Sequence, residues 1–210
     1  MRSFVELLRS NPYPGRGIAV GKNSVYYFIM GRSQNSRNRI FVETKDGIRT
    51  EAHDPALLRD PSLIIYHPVR KTEKGLIVTN GDQTDTIRDM GHFRKALMTR
   101  EYEPDEPNWT PRISAILRNN GSFELAILKR VDGRCLREFF SYEGADAGKG
   151  YFISTYQGDG NPLPSFAGEP IEIDWPEPEA VWSALNADNK VSLYSNQSGA
   201  VRIFNKNLGD

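Results

Sequence analysis

Apolar and polar positions change period several times along this chain, and each change marks an element. Phe4, Val5, Leu7 and Leu8 fall on one face of a short helix, which Asn11-Pro12-Tyr13-Pro14-Gly15 stops. Arg16 to Gly21 and Ser24 to Gly31 are apolar runs joined by a short polar turn, and they predict a hairpin. Strand-like runs follow at Ile40 to Glu43, Ser62 to Tyr66 and Gly75 to Thr79, with turns marked by His53-Asp54-Pro55 and Asp60-Pro61. At Asp82 the period becomes helical. Asp82-Gln83-Thr84-Asp85-Thr86 supplies capping residues and first-turn acids, and Ile87, Met90, Phe93 and Leu97 share a face, which predicts one helix starting directly after a strand. The free N–H groups at its start are either an anion site or ordinarily capped.

Past residue 111 a two-residue alternation returns. Arg112 to Arg118 and Ser122 to Lys129 flank Asn119-Asn120-Gly121 as a second hairpin. Further strands are expected at Cys135 to Phe140, Gly150 to Tyr156, Val191 to Tyr194 and Ala200 to Phe204. Pro176-Glu177-Pro178-Glu179 opens a helix through Val181, Trp182 and Leu185. No repeat, low-complexity tract or linker interrupts the pattern, so residues 1–210 read as a single domain of mixed strands and helices.

Between the central helix and the second hairpin lies the most distinctive stretch, Glu101 to Ile113. It carries four acids in six residues and then three prolines in eight, so neither a helix nor a central strand can run through it. Trp109 and Ile113 bracket Thr-Pro-Arg, and a strand begins at once. That pins the loop to the mouth of a sheet, where binding and catalytic groups collect. Gly31 to Arg39 places three arginines among Ser and Asn just before a strand. The set suits a phosphate monoester, and it equally suits a solvated basic turn.

Composition narrows the chemistry. Lysine plus arginine (27) equal aspartate plus glutamate (27), leaving no net field for a nucleic acid partner. The lone Cys135 excludes an internal disulfide and reads as a small core residue. Charges crowd the first nine residues and no apolar run approaches the ~20 residues of a membrane span, so a cytoplasmic protein with no membrane partner is expected. His53, His67 and His92 share no metal-ligand spacing. Gly15, Gly17 and Gly21 lack dinucleotide spacing, Gly144 to Gly150 fails as a phosphate loop, and no Gly-x-Ser-x-Gly occurs. What remains is carboxylates, arginines, tyrosines and hydroxyls at strand ends, equipment for acid/base work on a small anion.

Five blocks in order resemble the archaeal-type IMP cyclohydrolases and their bacterial relatives: Pro14-Gly15-Arg16; Arg32-Ser33 with Asn38-Arg39; Asn80-Gly81 with Thr84-Asp85-Thr86-Ile87; Tyr102-Glu103 through Thr110-Pro111-Arg112-Ile113; and Ile153-Ser154-Thr155-Tyr156. The resemblance implies an α+β fold like that of N-terminal-nucleophile hydrolases, a four-layer αββα sandwich of two mainly antiparallel sheets between helical layers. The chain begins Met1-Arg2, so the fold is expected without the N-terminal nucleophile. The implied reaction closes 5-formamidoimidazole-4-carboxamide ribotide (FAICAR) to IMP and water, the last step of de novo purine synthesis, with a nucleotide substrate and no cofactor or metal. The same resemblance implies Glu103 as proton carrier and Arg32 and Tyr66 at the formyl oxygen. It implies Arg16, Ser33, Asn38, Arg39, Asn80, Thr110, Arg112, Thr155 and Tyr156 around the nucleotide. The Gly158 to Phe166 loop departs from the archaeal pattern and, with an altered C-terminal part, leaves homo-oligomerisation open. A purine-nucleotide binder without turnover and an amidohydrolase of the same fold remain as alternatives.

Overall fold

The β-branched and aromatic runs assemble into two sheets. In the computed structural model, which describes residues 1–58 and 61–210, one sheet contains β1 (Arg16–Gly21), β2 (Ser24–Met30), β10 (Lys149–Ser154), β11 (Ile171–Asp174), β12 (Lys190–Gln197) and β13 (Ala200–Asn205). Its strand order is β11-β10-β1-β2-β12-β13. The other contains β3 (Arg39–Thr44), β4 (Gly47–Ala52), β5 (Val69–Thr72), β6 (Gly75–Thr79), β7 (Arg112–Arg118), β8 (Phe123–Val131) and β9 (Arg134–Tyr142), arranged in sequence order as a meander. Every strand pairing in both sheets is antiparallel.

Strand β2 shows why the chain stacks in four layers. Side chains alternate across a strand, so Val25, Tyr27 and Ile29 face the other sheet and meet Val78, Ile113, Ala115 and Ile127. Tyr26, Phe28 and Met30 face outward, and there they pack with Phe4 and Leu8 of α1 (Phe4–Ser10) and Val181 and Trp182 of α5 (Pro178–Ala184). A strand buried on both faces has no polar side, which explains the unbroken apolar run in the sequence. On the far side, Ile87 of α3 (Gln83–Met90) and Phe93, Ala96 and Leu97 of α4 (Phe93–Met98) cover Ile77, Ile116, Ala126 and Leu128. The result is the αββα sandwich anticipated from the resemblance.

Several local expectations are corrected. Ser62 to Tyr66 is not a strand; it is a turn, whose Ile64 and Tyr66 carbonyls accept from the Thr50 hydroxyl and backbone N–H at 2.6 and 2.9 Å respectively. Ile64 and Tyr66 are buried by a fold-back against β4, not by extension, and Ile65 is exposed. The Asp60-Pro61 turn involves Asp60, outside the described residues. The single helix expected after Asp82 is two, because Gly91 takes a left-handed conformation (φ 61°) and ends α3. That cap is cheap for glycine alone. His92 then caps α4, accepting from the Lys95 N–H. Met90, at the break, is exposed. The basic segment holds one helical turn, α2 (Gln34–Arg37), capped by reciprocal bonds between Ser33 and Ser36.

Strand β3 lies at the edge of its sheet, and the C-terminal segment covers it. Asn205 accepts from Phe41 N–H at 2.7 Å and donates to its carbonyl at 3.1 Å, while Asn207 donates to the Arg39 carbonyl at 3.0 Å. These side-chain amides satisfy backbone groups that an edge otherwise leaves open.

Candidate active site

The acidic loop is folded back on itself by its own polar groups. Glu103 N–H donates to the Thr110 carbonyl at 2.9 Å, and the Asp105 carboxylate accepts from the Thr110 N–H at 2.6 Å and from its hydroxyl. The Thr110 hydroxyl also meets the Tyr156 hydroxyl at 2.5 Å. This closure turns Glu103 inward, 2% exposed, and leaves Glu101 and Glu106 in solvent. Burial pushes the Glu103 carboxyl up to about 7. Arg16 and Arg112 pull the other way, and Asp105 adds to the rise. The closest cation, Arg16 Nη2, stands 4.0 Å from Oε2, near enough to attract and too far for a strong hydrogen bond.

Three guanidiniums surround that one carboxylate. Arg112, on the first residue of β7, is held through Nη1 by Asp82 at 2.8 Å and Gln83 at 2.7 Å. Arg16, which opens β1, is fixed at its backbone by the Thr155 hydroxyl at 3.1 Å. Burial opposes its charge, but Glu103 and the neighbouring tyrosine hydroxyls outweigh that and hold its pKa above the usual value. Arg39, which opens β3, is fully buried. Its Nε donates to the Ser36 carbonyl at 2.8 Å, while Nη1 and Nη2 find no hydrogen-bond partner among the described residues. Burial and then Arg16 lower its pKa. A buried guanidinium whose terminal nitrogens lack partners costs several kcal/mol or more unless something pairs with it. The interior here is built to receive negative charge.

Tyrosines complete the walls. The Tyr66 and Tyr27 hydroxyls meet at 2.9 Å, and Tyr13 stacks on Tyr156 at 5.9 Å between ring centroids. A cleft of about 240 Å³ reaches this group from solvent, lined in part by Tyr13, Arg16, Thr110, Tyr156, Ser33 and Leu163. Arg32 stands at its mouth, 5.0 Å over the Tyr13 ring, and binds Asp159 at 2.7 Å and the Gly160 carbonyl at 3.1 Å.

The structure therefore brings together Glu103, Arg16, Arg39, Arg112, Tyr66, Thr110 and Tyr156, with Arg32 and Ser33 at the entrance. Asn38, Asn80 and Thr155 do something else. Asn38 exchanges two 2.7 Å bonds with the Asp54 backbone; Asn80 donates to Pro111 and accepts from Ile113 N–H, both at 2.9 Å; Thr155 bridges Pro14 and Arg16. Their polar atoms clamp backbone beneath the site. The sequence reading passed over Tyr13, Tyr27, Gln83 and Asp105. Asp105 was signalled by its place in the acidic block; the tyrosines, ordinary in strands and turns, gave no local sign. Among the described residues no three metal-ligating side chains converge, and no helix is long and apolar enough to cross a membrane.

The chain is also similar to known proteins. A family model described as IMP cyclohydrolase-like protein matches residues 13–199. The IMP cyclohydrolase of Methanocaldococcus jannaschii is 28% identical over 174 residues, covering 76% of this chain and 82% of that protein. That of Methanopyrus kandleri is 30% identical over 160 residues, covering 69% and 75%.

Proposed function

The chain belongs to the IMP cyclohydrolase-like protein family, and from that premise we propose how its buried groups close a purine ring. The enzyme converts FAICAR to IMP and water, in purine biosynthesis. Both reacting groups already sit on adjacent ring atoms, so the gain comes from fixing one rotamer, excluding water and moving protons.

Ring closure joins the carboxamide nitrogen to the formyl carbon, and the C–O bond of the resulting carbinolamine then breaks. The departing oxygen takes up two protons, one from the carboxamide nitrogen and one from the formamido nitrogen, and leaves as water. Glu103 carries them. The observation that supports this role is a buried carboxyl brought to about 7 between guanidiniums, since a group titrating near the working pH can both accept and return a proton. Negative charge on the formyl oxygen faces Arg16 and the Tyr66 hydroxyl deep in the cleft, donors whose strength grows where water is excluded. Arg32 and Ser33, at the mouth, take the phosphate end instead of the formyl oxygen. A cytoplasmic location and a nucleotide as the partner, without nucleic acid or membrane, belong to the same reading.

The test is incubation of purified protein with FAICAR while IMP is followed by absorbance. Glu103→Gln keeps size and hydrogen bonding but cannot carry the proton, so turnover falls by about 10²- to 10⁴-fold with IMP affinity nearly unchanged. Glu101→Gln and Glu106→Gln, both in solvent, stay within a few-fold of the parent. A Glu103→Gln enzyme as fast as the parent removes Glu103 from the mechanism. Tight IMP binding without turnover in the parent favours a binding protein.

A further inference from the structure

Gln83 holds Arg112 but has no part in the proposed reaction so far, and its surroundings are unusual for the first turn of a helix. It is fully buried. Both functional atoms of its amide are used: Nε2 donates to Asn80 Oδ1 at 3.0 Å and to the Ile113 carbonyl at 3.3 Å, and Oε1 accepts from Arg112 Nη1 at 2.7 Å. The donor side fixes which way the amide points, because only the oxygen is then left for the guanidinium. Asn80, in turn, is held by Pro111 and Ile113. A rigid chain thus runs from the backbone of β7 through Asn80 and Gln83 to Arg112.

The backbone at Gly81 closes the arrangement. A Cβ there would stand 2.6 Å from both Arg112 Nη1 and Gln83 Oε1, and 3.5 Å from Glu103 Oε1. Only a residue without a side chain lets the strand-to-helix turn lie so close to all three groups. Asp82 also accepts from Arg112 Nη1, but it is half exposed and shared with Arg100. The buried, singly committed acceptor is the stiffer of the two.

We infer that Gln83 is a positioning residue for the reaction, holding the Arg112 guanidinium in the orientation from which it acts on Glu103. The inference rests on Glu103 as the proton carrier. Arg112 is one of four charged groups that act on Glu103; the others are Arg16 from β1, Arg39 from β3 and Asp105 from its own loop. Arg112 favours the ionised carboxylate, so a misdirected guanidinium makes Glu103 harder to ionise. The acid limb of the pH–rate profile then moves to higher pH.

The experiment measures kcat and KM for FAICAR from pH 5 to pH 9 in Gln83→Met, Arg112→Lys and the double variant, with thermal melting to establish folding. Gln83→Met keeps volume and removes both amide atoms. It lowers kcat about 10-fold with a smaller change in KM, and moves the acid limb up by about half a unit to one unit. In the Arg112→Lys background the same change costs less than about 2-fold, since two residues acting through one contact are not additive. A folded Gln83→Met with the parent's acid limb overturns the inference, as does a full 10-fold loss in the Arg112→Lys background. Should Gln83→Met fail to fold, Gln83→Asn decides: one methylene shorter, it keeps an amide but draws its oxygen back from the Arg112 guanidinium, so the limb must rise, and an unmoved limb overturns the inference. Failure of the underlying reading is distinct, because Glu103→Gln would then turn over FAICAR like the parent whatever Gln83 variants do.

Discussion

Glu103 and Arg39 are opposite ions kept in places that suit neither, and each has a measurable cost. The Glu103 carboxyl is raised to about 7 in the fold, from an unfolded value near 4.3. The native state therefore binds this proton more tightly, and its contribution to stability declines as pH rises from about 4.3 to about 7. Over that window the loss is roughly 2–4 kcal/mol. Glu103→Gln removes the group, so the difference in unfolding free energy between urea titrations at pH 5 and pH 8 shrinks by about 2–3 kcal/mol relative to the parent; an unchanged difference means the carboxyl ionises freely. Arg39→Met, which keeps volume and discards a charge whose Nη1 and Nη2 find no hydrogen-bond partner among the described residues, stabilises the protein by about 1–3 kcal/mol and weakens IMP binding at least 10-fold. A less stable Arg39→Met protein would show that the guanidinium is satisfied within the fold.

At the scale of elements, the Gly158 to Phe166 loop is tied over the cleft by contacts of unequal strength. Its end is anchored where the buried Lys129 donates to the Phe166 carbonyl at 3.0 Å. Its tip is held by Arg32 and Asp159, which are 38% and 51% exposed, and such a pair contributes at most about 1 kcal/mol. Asp159→Asn accordingly leaves the melting temperature within about 2 °C of the parent while speeding proteolytic cleavage between residues 158 and 166; equal cleavage rates would mean the tip is held by something else. The elements also differ in how openly the sequence announced them. Both hairpins, α1 and the acidic loop were legible because their signals are local: alternation, Gly or Asn at turns, prolines in series. Strands β4 and β5 were not, since Arg49, Glu51 and Lys71 interrupt their apolar residues and each strand is defined by its neighbours. The apolar run at Ser62 to Tyr66 misled for the same reason, since Ile64 and Tyr66 are buried by fold-back. In the site, the acidic loop was marked by its composition, whereas Glu103 was singled out within it by the family resemblance. The clamping roles of Asn38, Asn80 and Thr155 depend on partners up to 141 residues away, and no local pattern encodes such a distance.

In the whole molecule, the two sheets draw on the chain very differently. The seven-stranded sheet takes all its strands consecutively from Arg39 to Tyr142, whereas the six-stranded sheet joins β1 and β2 to strands beginning only at Lys149. Asn205 and Asn207 then fasten the edge strand that carries Arg39. On a ribosome, where chains emerge at roughly 5–20 residues per second, the β1–β2 hairpin must wait several seconds for its neighbours β10 and β12 while the meander can already pair. The long-range closure is also the slow part of refolding, because distant contacts carry the larger loop entropy. Pulse-labelling hydrogen exchange during refolding should find amides of β6, β7 and β8 protected before those of β2 and β12; simultaneous protection would mean that the sheets form as one unit. The candidate cleft lies between an early sheet and a late one, so a nascent chain acquires its ligand site only after β10 and Tyr156 have emerged. Until then Glu103 and the arginines face water as ordinary ions, and an unfinished chain cannot sequester the nucleotide that the finished enzyme consumes.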